Sequence, residues 1–227
     1  MNDSEFARLI RMEMERTRRR YASFFQCSDQ NIEDTGAVES LMESMAMCSV
    51  QPLTALRSRG WNDPPDCEAI TTSGMRVGIE VTEMVDQASI EADIVSGAHV
   101  DYAYWDADKL RSQIENRVRK KDTPAEVKGG PYDEYWLVIH CDEPAVRFED
   151  ARDWISGMPE LRTILISRAF LLIGYSWAYQ RCPYVELAIR HHARRLRLGA
   201  DKSAAATEND KHAALREGVC SRRHLIF

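Results

Sequence analysis

The sequence predicts an α/β (α+β) fold, a central mixed β-sheet flanked by helices. Three observations predict it. Arg76–Thr82 alternates polar and apolar residues with the period of a half-buried strand, and Thr71-Thr72-Ser73-Gly74 ahead of it is a turn signal, so the region from Asp66 to Thr82 reads as a β-hairpin. Asp106–Lys121 places Leu110, Ile114 and Val118 at i, i+4, i+8, one face of a helix. Tyr135–His140 is a near-continuous apolar run, the pattern of a strand covered on both faces.

In chain order, residues 1–30 read as a helical extension, with Ser4 as its N-cap and a basic end at Arg16, Arg18, Arg19 and Arg20. Residues 31–198 read as the folded domain, and 199–227, small and polar, as a flexible tail. Within the domain, Ser28–Thr35 reads as a polar connection. A helix follows over about Thr35–Cys48, with Val38, Leu41, Met42 and Met45 as its apolar stripe. Gln51–Asn62 reads as a short strand or a loop. After the hairpin, Val85–Val95 reads as a short helix. The aromatics Tyr102, Tyr104 and Trp105 then precede the Asp106–Lys121 helix, for which Asp106 or Asp108 is the cap. Thr123–Pro131 is a loop, Glu149–Ser156 a short helix, Ala169–Tyr175 an apolar run, and Pro183–Ile189 a last strand. Arg190–Arg197 reads as a basic helix with Arg190, Arg194 and Arg197 on one face.

The hairpin carries the chemistry. With its turn near Ser73, Asp66 falls opposite Glu80, and directly opposed side chains share a face with Cβ atoms about 4.5–5.5 Å apart. Alternation puts Gly78, Glu80 and Thr82 on that face and Val77, Ile79 and Val81 on the other. Glu68, across from Gly78, lies on the same face and is the candidate third metal ligand. Like charges held opposite one another repel, and a divalent cation relieves them: Mg²⁺ is commonly held by one or two carboxylates with waters and substrate phosphate. The competing reading is a surface hairpin whose polar face happens to be acidic.

Pro65-Asp66, thirteen intervening residues and Glu80-Val81-Thr82 resemble the PD-(D/E)xK signature of the restriction-endonuclease-like nucleases. Gly78-Ile79-Glu80-Val81-Thr82-Glu83 looks like a branch with a GIEVTE-type second half-motif. Tyr132-Asp133-Glu134-Tyr135-Trp136-Leu137-Val138-Ile139-His140 is similar to the strand downstream of it. The resemblance spans roughly Glu39 to Ile189. It implies a restriction-endonuclease-like core and a nuclease that hydrolyses phosphodiester bonds in DNA with Mg²⁺ or Mn²⁺. It also implies Asp66, Glu80 and the Val81 carbonyl as metal ligands, joined by an acid from the preceding helix, for which Glu43 and Glu39 stand unranked. The family's lysine position is Thr82 here. Lys121, at the inner end of the 110/114/118 stripe, is the first candidate to replace it, and Lys120 the second.

Composition narrows the classes. The net charge of −6 excludes a uniformly basic nucleic-acid coat, so phosphate contacts must be local, with Arg18, Arg19, Arg190, Arg194 and Arg197 as candidates; a solvated surface is the competing reading for both basic stretches. No apolar run approaches the ~20 residues of a membrane span, and the N-terminus lacks the apolar core of a signal peptide. The cysteines at 27, 48, 67, 141, 182 and 220 form no C-x-x-C, which fits reduced thiols and a cytoplasmic location. The expected partner is nucleic acid, with a homodimer or a protein partner in addition. Two other functions remain open: a catalytically inactive nuclease-fold protein that binds nucleic acid or a protein partner, and an unrelated α/β interaction protein.

Overall fold

The computed structural model describes residues 30–48, 53–60, 64–86 and 104–192. Its helices are α1 (Gln30–Met47), α2 (Ala107–Lys121) and α3 (Phe148–Ser156). Its strands are β1 (Leu53–Ser58), β2 (Cys67–Thr71), β3 (Arg76–Met84), β4 (Glu134–Cys141), β5 (Leu161–Thr163), β6 (Arg168–Ile173), β7 (Tyr184–Leu187) and β8 (Ile189–His191). Six of them form a mixed sheet in the order β1-β2-β3-β4-β6-β7. β1, β2 and β3 are antiparallel neighbours, β3-β4 and β4-β6 are parallel, and β7 returns antiparallel to β6. The short β5 and β8 pair separately and in parallel.

Parallel neighbours need a crossover, and α2 and α3 supply the two crossovers of this sheet. Both pack on one face. Leu110, Ile114 and Val118 of α2 and Ala151 and Ile155 of α3 close over Tyr135, Leu137, Ile139, Ala169 and Leu171. α1 covers the other face, where Ala37, Val38, Leu41 and Met45 meet Val77, Ile79, Val81, Trp136, Val138 and Phe170. Burying an aliphatic side chain of this kind contributes roughly 1.5–3 kcal/mol, so each helix is held mainly by its stripe. The α/β class with a mixed sheet between helices is therefore the observed architecture.

Several boundaries differ from the sequence reading. α1 starts at Gln30, inside the stretch expected to be a connection, because buried Asp34 continues the 38/41/45 phase one turn toward the N-terminus. Within the stretch read as a short strand or a loop, Leu53–Ser58 is strand β1, interrupted by a register shift between Thr54 and Arg57 where Ala55 takes φ 51°. The basic segment does not open a helix at Arg190. Ile189–His191 instead pairs with Leu161–Thr163, whose backbone edge competes with the helical pattern and wins. Trp105 is core, donating its indole N–H to buried Glu143 at 3.1 Å, whereas Tyr104 is exposed. The N-terminal extension with Arg18 and Arg19, the Val85–Val95 helix beyond Asp86, Tyr102, Arg194, Arg197 and the 199–227 tail lie outside the described residues. Among the described residues no helix is long and apolar enough to cross a membrane.

Candidate active site

Asp66 directly precedes β2. The hairpin pairs Cys67 with Ile79 and Glu68 with Gly78, and one step further Asp66 stands opposite Glu80. The Asp66 carboxylate reaches across to β3 and accepts the Val81 N–H at 2.8 Å. In a strand the N–H and C=O of one residue point to the same neighbour, so the Val81 carbonyl faces the Asp66 side as well.

Glu80 is buried, and both its oxygens are engaged. Lys121 Nζ donates to Oε1 at 2.5 Å and the Tyr135 hydroxyl to Oε2 at 3.0 Å. Tyr135 comes from β4, which pairs it with Gly78. A Cβ at Gly78 would lie 3.0 Å from both the Tyr135 ring and Pro65, so glycine is what lets the phenol close onto Glu80. Lys121 is the last residue of α2, and Asp122 fixes that end. Its own N–H caps Val118 O at 2.9 Å, and its carboxylate accepts the N–H groups of Ile164, Leu165 and Ile166 at 2.8, 2.7 and 3.1 Å.

The electrostatics follow from this packing. Burial first, and then the facing Glu80 charge, push the Asp66 carboxyl from 3.8 up to about 7; Asp34 adds to this, while the Val81 N–H and Lys121 oppose it. Burial alone would lower the Lys121 pKa, but its hydrogen bond to Glu80 and the charges of Glu80, Asp66 and Asp34 hold it above the usual 10.5. The ammonium therefore stays charged. Burial and the Glu80 charge raise Tyr135 as well, which keeps its proton on the phenol.

The predicted residues sort clearly. Asp66, Glu80, Val81 and Lys121 come together. Lys120 is exposed, since it sits off the Leu110/Ile114/Val118 phase. Glu39 and Glu43 are exposed on the outer side of α1. The α1 acid whose charge acts on both Asp66 and Lys121 is Asp34, which is buried. Glu68 lies opposite Gly78 as expected but is not available as a ligand. Arg57 Nε, Arg76 Nη2 and Arg59 Nη1 bind its carboxylate at 2.5, 2.6 and 3.1 Å. Burial would raise Glu68, but the hydrogen bonds from Arg76, Arg59 and Arg57 outweigh it and hold the pKa down to about 2. Arg190 is exposed on β8, 3.7 Å from Glu160. Sequence reasoning missed Asp34, Tyr135 and Asp122. The phase of Val38, Leu41 and Met45 pointed to the first, and the Gly78–Tyr135 register, invisible before folding, explains the second.

No model of a known protein family matches the chain, and neither a curated protein nor a solved structure does. Among the described residues no group of three or more His, Cys, Asp or Glu side chains is gathered to hold a metal ion. Asp66 and Glu80 still offer two facing carboxylates, the number that with water and phosphate commonly holds Mg²⁺, and an ion at Glu80 would share or displace the Lys121 and Tyr135 hydrogen bonds. Burial first, and the Glu80 charge second, raise the Asp66 pKa, and a cation between the two would relieve the second of these.

Proposed function

We propose that this chain is a metal-dependent nuclease with a restriction-endonuclease-like core, hydrolysing phosphodiester bonds in DNA. The observation that carries the reading is Lys121 at 2.5 Å from Glu80, with Asp66 opposite: a helix supplies the lysine that the hairpin motif lacks at Thr82. The mixed sheet covered by helices on both faces supports it. Asp66, Glu80 and the Val81 carbonyl would hold Mg²⁺ or Mn²⁺, which when bound supplies an activated water and a polarised phosphate.

The chain's own residues do the rest. Tyr135 and Lys121 fix the two Glu80 oxygens, so the carboxylate has one orientation. The charged Lys121 ammonium faces the negative charge that develops on the phosphate oxygens and stabilises it more than the ground state. Burial and the facing Glu80 charge favour the protonated form of Asp66, and a cation bound there would displace that proton. The test is cleavage of plasmid and linear DNA with and without added Mg²⁺ or Mn²⁺. Cleavage is expected from the parent with metal and from neither the EDTA-treated parent nor Glu80→Gln. Metal-independent cleavage, or full activity in Glu80→Gln, would overturn the assignment.

A further inference from the structure

The arginines on Glu68 outnumber what one carboxylate neutralises. Among the described residues, three guanidiniums against Glu68 leave +2, and the exposed Asp133 carboxylate, which accepts the Arg76 backbone N–H, reduces this to +1. The chain as a whole carries −6, so this is a local reversal of sign. Two of the three guanidiniums are also closely packed. Tyr132 lies under two of the guanidiniums, 4.7 Å from Arg76 and 6.0 Å from Arg59. Arg59 packs so closely on Gly129 that a Cβ there would fall 2.1 Å from its Nη2, and among the described residues its Nε has no acceptor. Arg57, by contrast, leaves 71 % of its side chain exposed.

The cluster's position gives it a use. Glu68, Arg76 and Glu80 share the sheet face on which α2 packs, and toward β1, among the described residues, Ile70 of that face is 42 % exposed. Glu68 stands opposite Gly78, two residues from Glu80, a diagonal separation of about 7–8 Å along the sheet. Tyr132 meets Tyr135 edge-on at 6.4 Å, and Tyr135 binds Glu80, so the basic cluster and the acidic pair adjoin through two aromatic rings.

Resting on the nuclease reading of the acidic pair, we infer that Arg57, Arg59 and Arg76, held in a fork by Glu68, bind a backbone phosphate of the nucleic-acid strand beside the scissile one. Glu68 sets the guanidinium planes, and the surplus charge and exposed edge of Arg57 meet the phosphate. No base edge is read, so the contact adds affinity without sequence preference.

The test is equilibrium binding of a fluorescein-labelled mixed-sequence DNA duplex, and of its single strand, to the full chain in EDTA across a salt series. Arg57→Gln is expected to lower the slope of log K against log salt by ~0.9 on duplex or ~0.7 on single strand, one phosphate contact. Arg57→Glu lowers affinity further, and Arg152→Gln, on exposed α3 surface, leaves the slope unchanged. Urea midpoints checked in parallel keep the Arg57 variants interpretable, because that side chain is mostly exposed. An unchanged slope in both Arg57 variants, or no binding by the parent, overturns the inference. Cleavage by the parent with an Arg57-independent slope removes the inference and leaves the nuclease. An Arg57-dependent slope without metal-dependent cleavage removes the nuclease and leaves the phosphate subsite.

Discussion

Asp66→Asn is expected to stabilise the metal-free protein above neutral pH while abolishing its response to Mg²⁺. The displacement of the carboxyl from 3.8 to about 7, at about 1.4 kcal/mol per tenfold, costs the folded, ionised form on the order of 4 kcal/mol. The sign follows from proton binding. Below 3.8 the folded and unfolded chains are both protonated at this position, and it contributes nothing to pH dependence. Between 3.8 and about 7 the folded state binds more protons, so stability falls as pH rises; above about 7 the loss is constant. Asparagine does not ionise, and its amide oxygen can still accept the Val81 N–H. Urea unfolding of parent and variant in EDTA, from about pH 4 to about pH 9, should therefore show the variant gaining ~2–4 kcal/mol relative to the parent at the alkaline end and nothing at the acid end. Added Mg²⁺ at a hundredfold its Kd should return ~2.7 kcal/mol to the parent and none to the variant. Two stability curves that run parallel at every pH, or a parent indifferent to Mg²⁺, would refute the picture of a half-buried Asp66 facing Glu80 and relieved by a cation.

Lys121→Met should lower kcat by at least ~10²-fold, the usual cost of one preorganised donor to a developing oxyanion, while keeping most of the Mg²⁺-linked stability gain; activity at the parent level would clear Lys121 of any role. Asp122→Ala strips the acceptor from the Ile164, Leu165 and Ile166 N–H groups and should cost ~1–3 kcal/mol in urea unfolding. Because Asp122 positions Lys121, kcat should fall with KM little changed, and Asp122→Asn should recover part of both losses; a stability loss with kcat intact would separate the clamp from the site.

The parts of the fold that were legible in the sequence are those governed by local periodicity. The hairpin register followed from a turn signal and alternation, and Lys121 from the phase of three aliphatics. Parts that depend on distant partners were not legible. β5 is three residues long and exists only because Ile189–His191 lies beside it, so neither strand has a pattern of its own. Asp34 sits in the polar run Ser28–Thr35, which reads as a connection until α1 is seen packed on the sheet. Glu68 looked like a ligand because its arginines come from three separate positions, Arg57, Arg59 and Arg76, and only strand pairing brings them together.

The acids near the cation position stand on a hairpin, while the ammonium beside them stands on the last turn of a crossover helix, tied by Asp122 to the backbone ahead of β6. The two halves of the constellation therefore come from different elements of the chain. Fraying a single helical turn would withdraw the cation from Glu80 while every strand stayed paired, leaving a protein folded by most spectroscopic measures and chemically silent. A helix end is also a forgiving place to keep such a group. What the site needs is one charged nitrogen at one point in space, and a chain can deliver it from an address forty-one residues beyond the glutamate it serves.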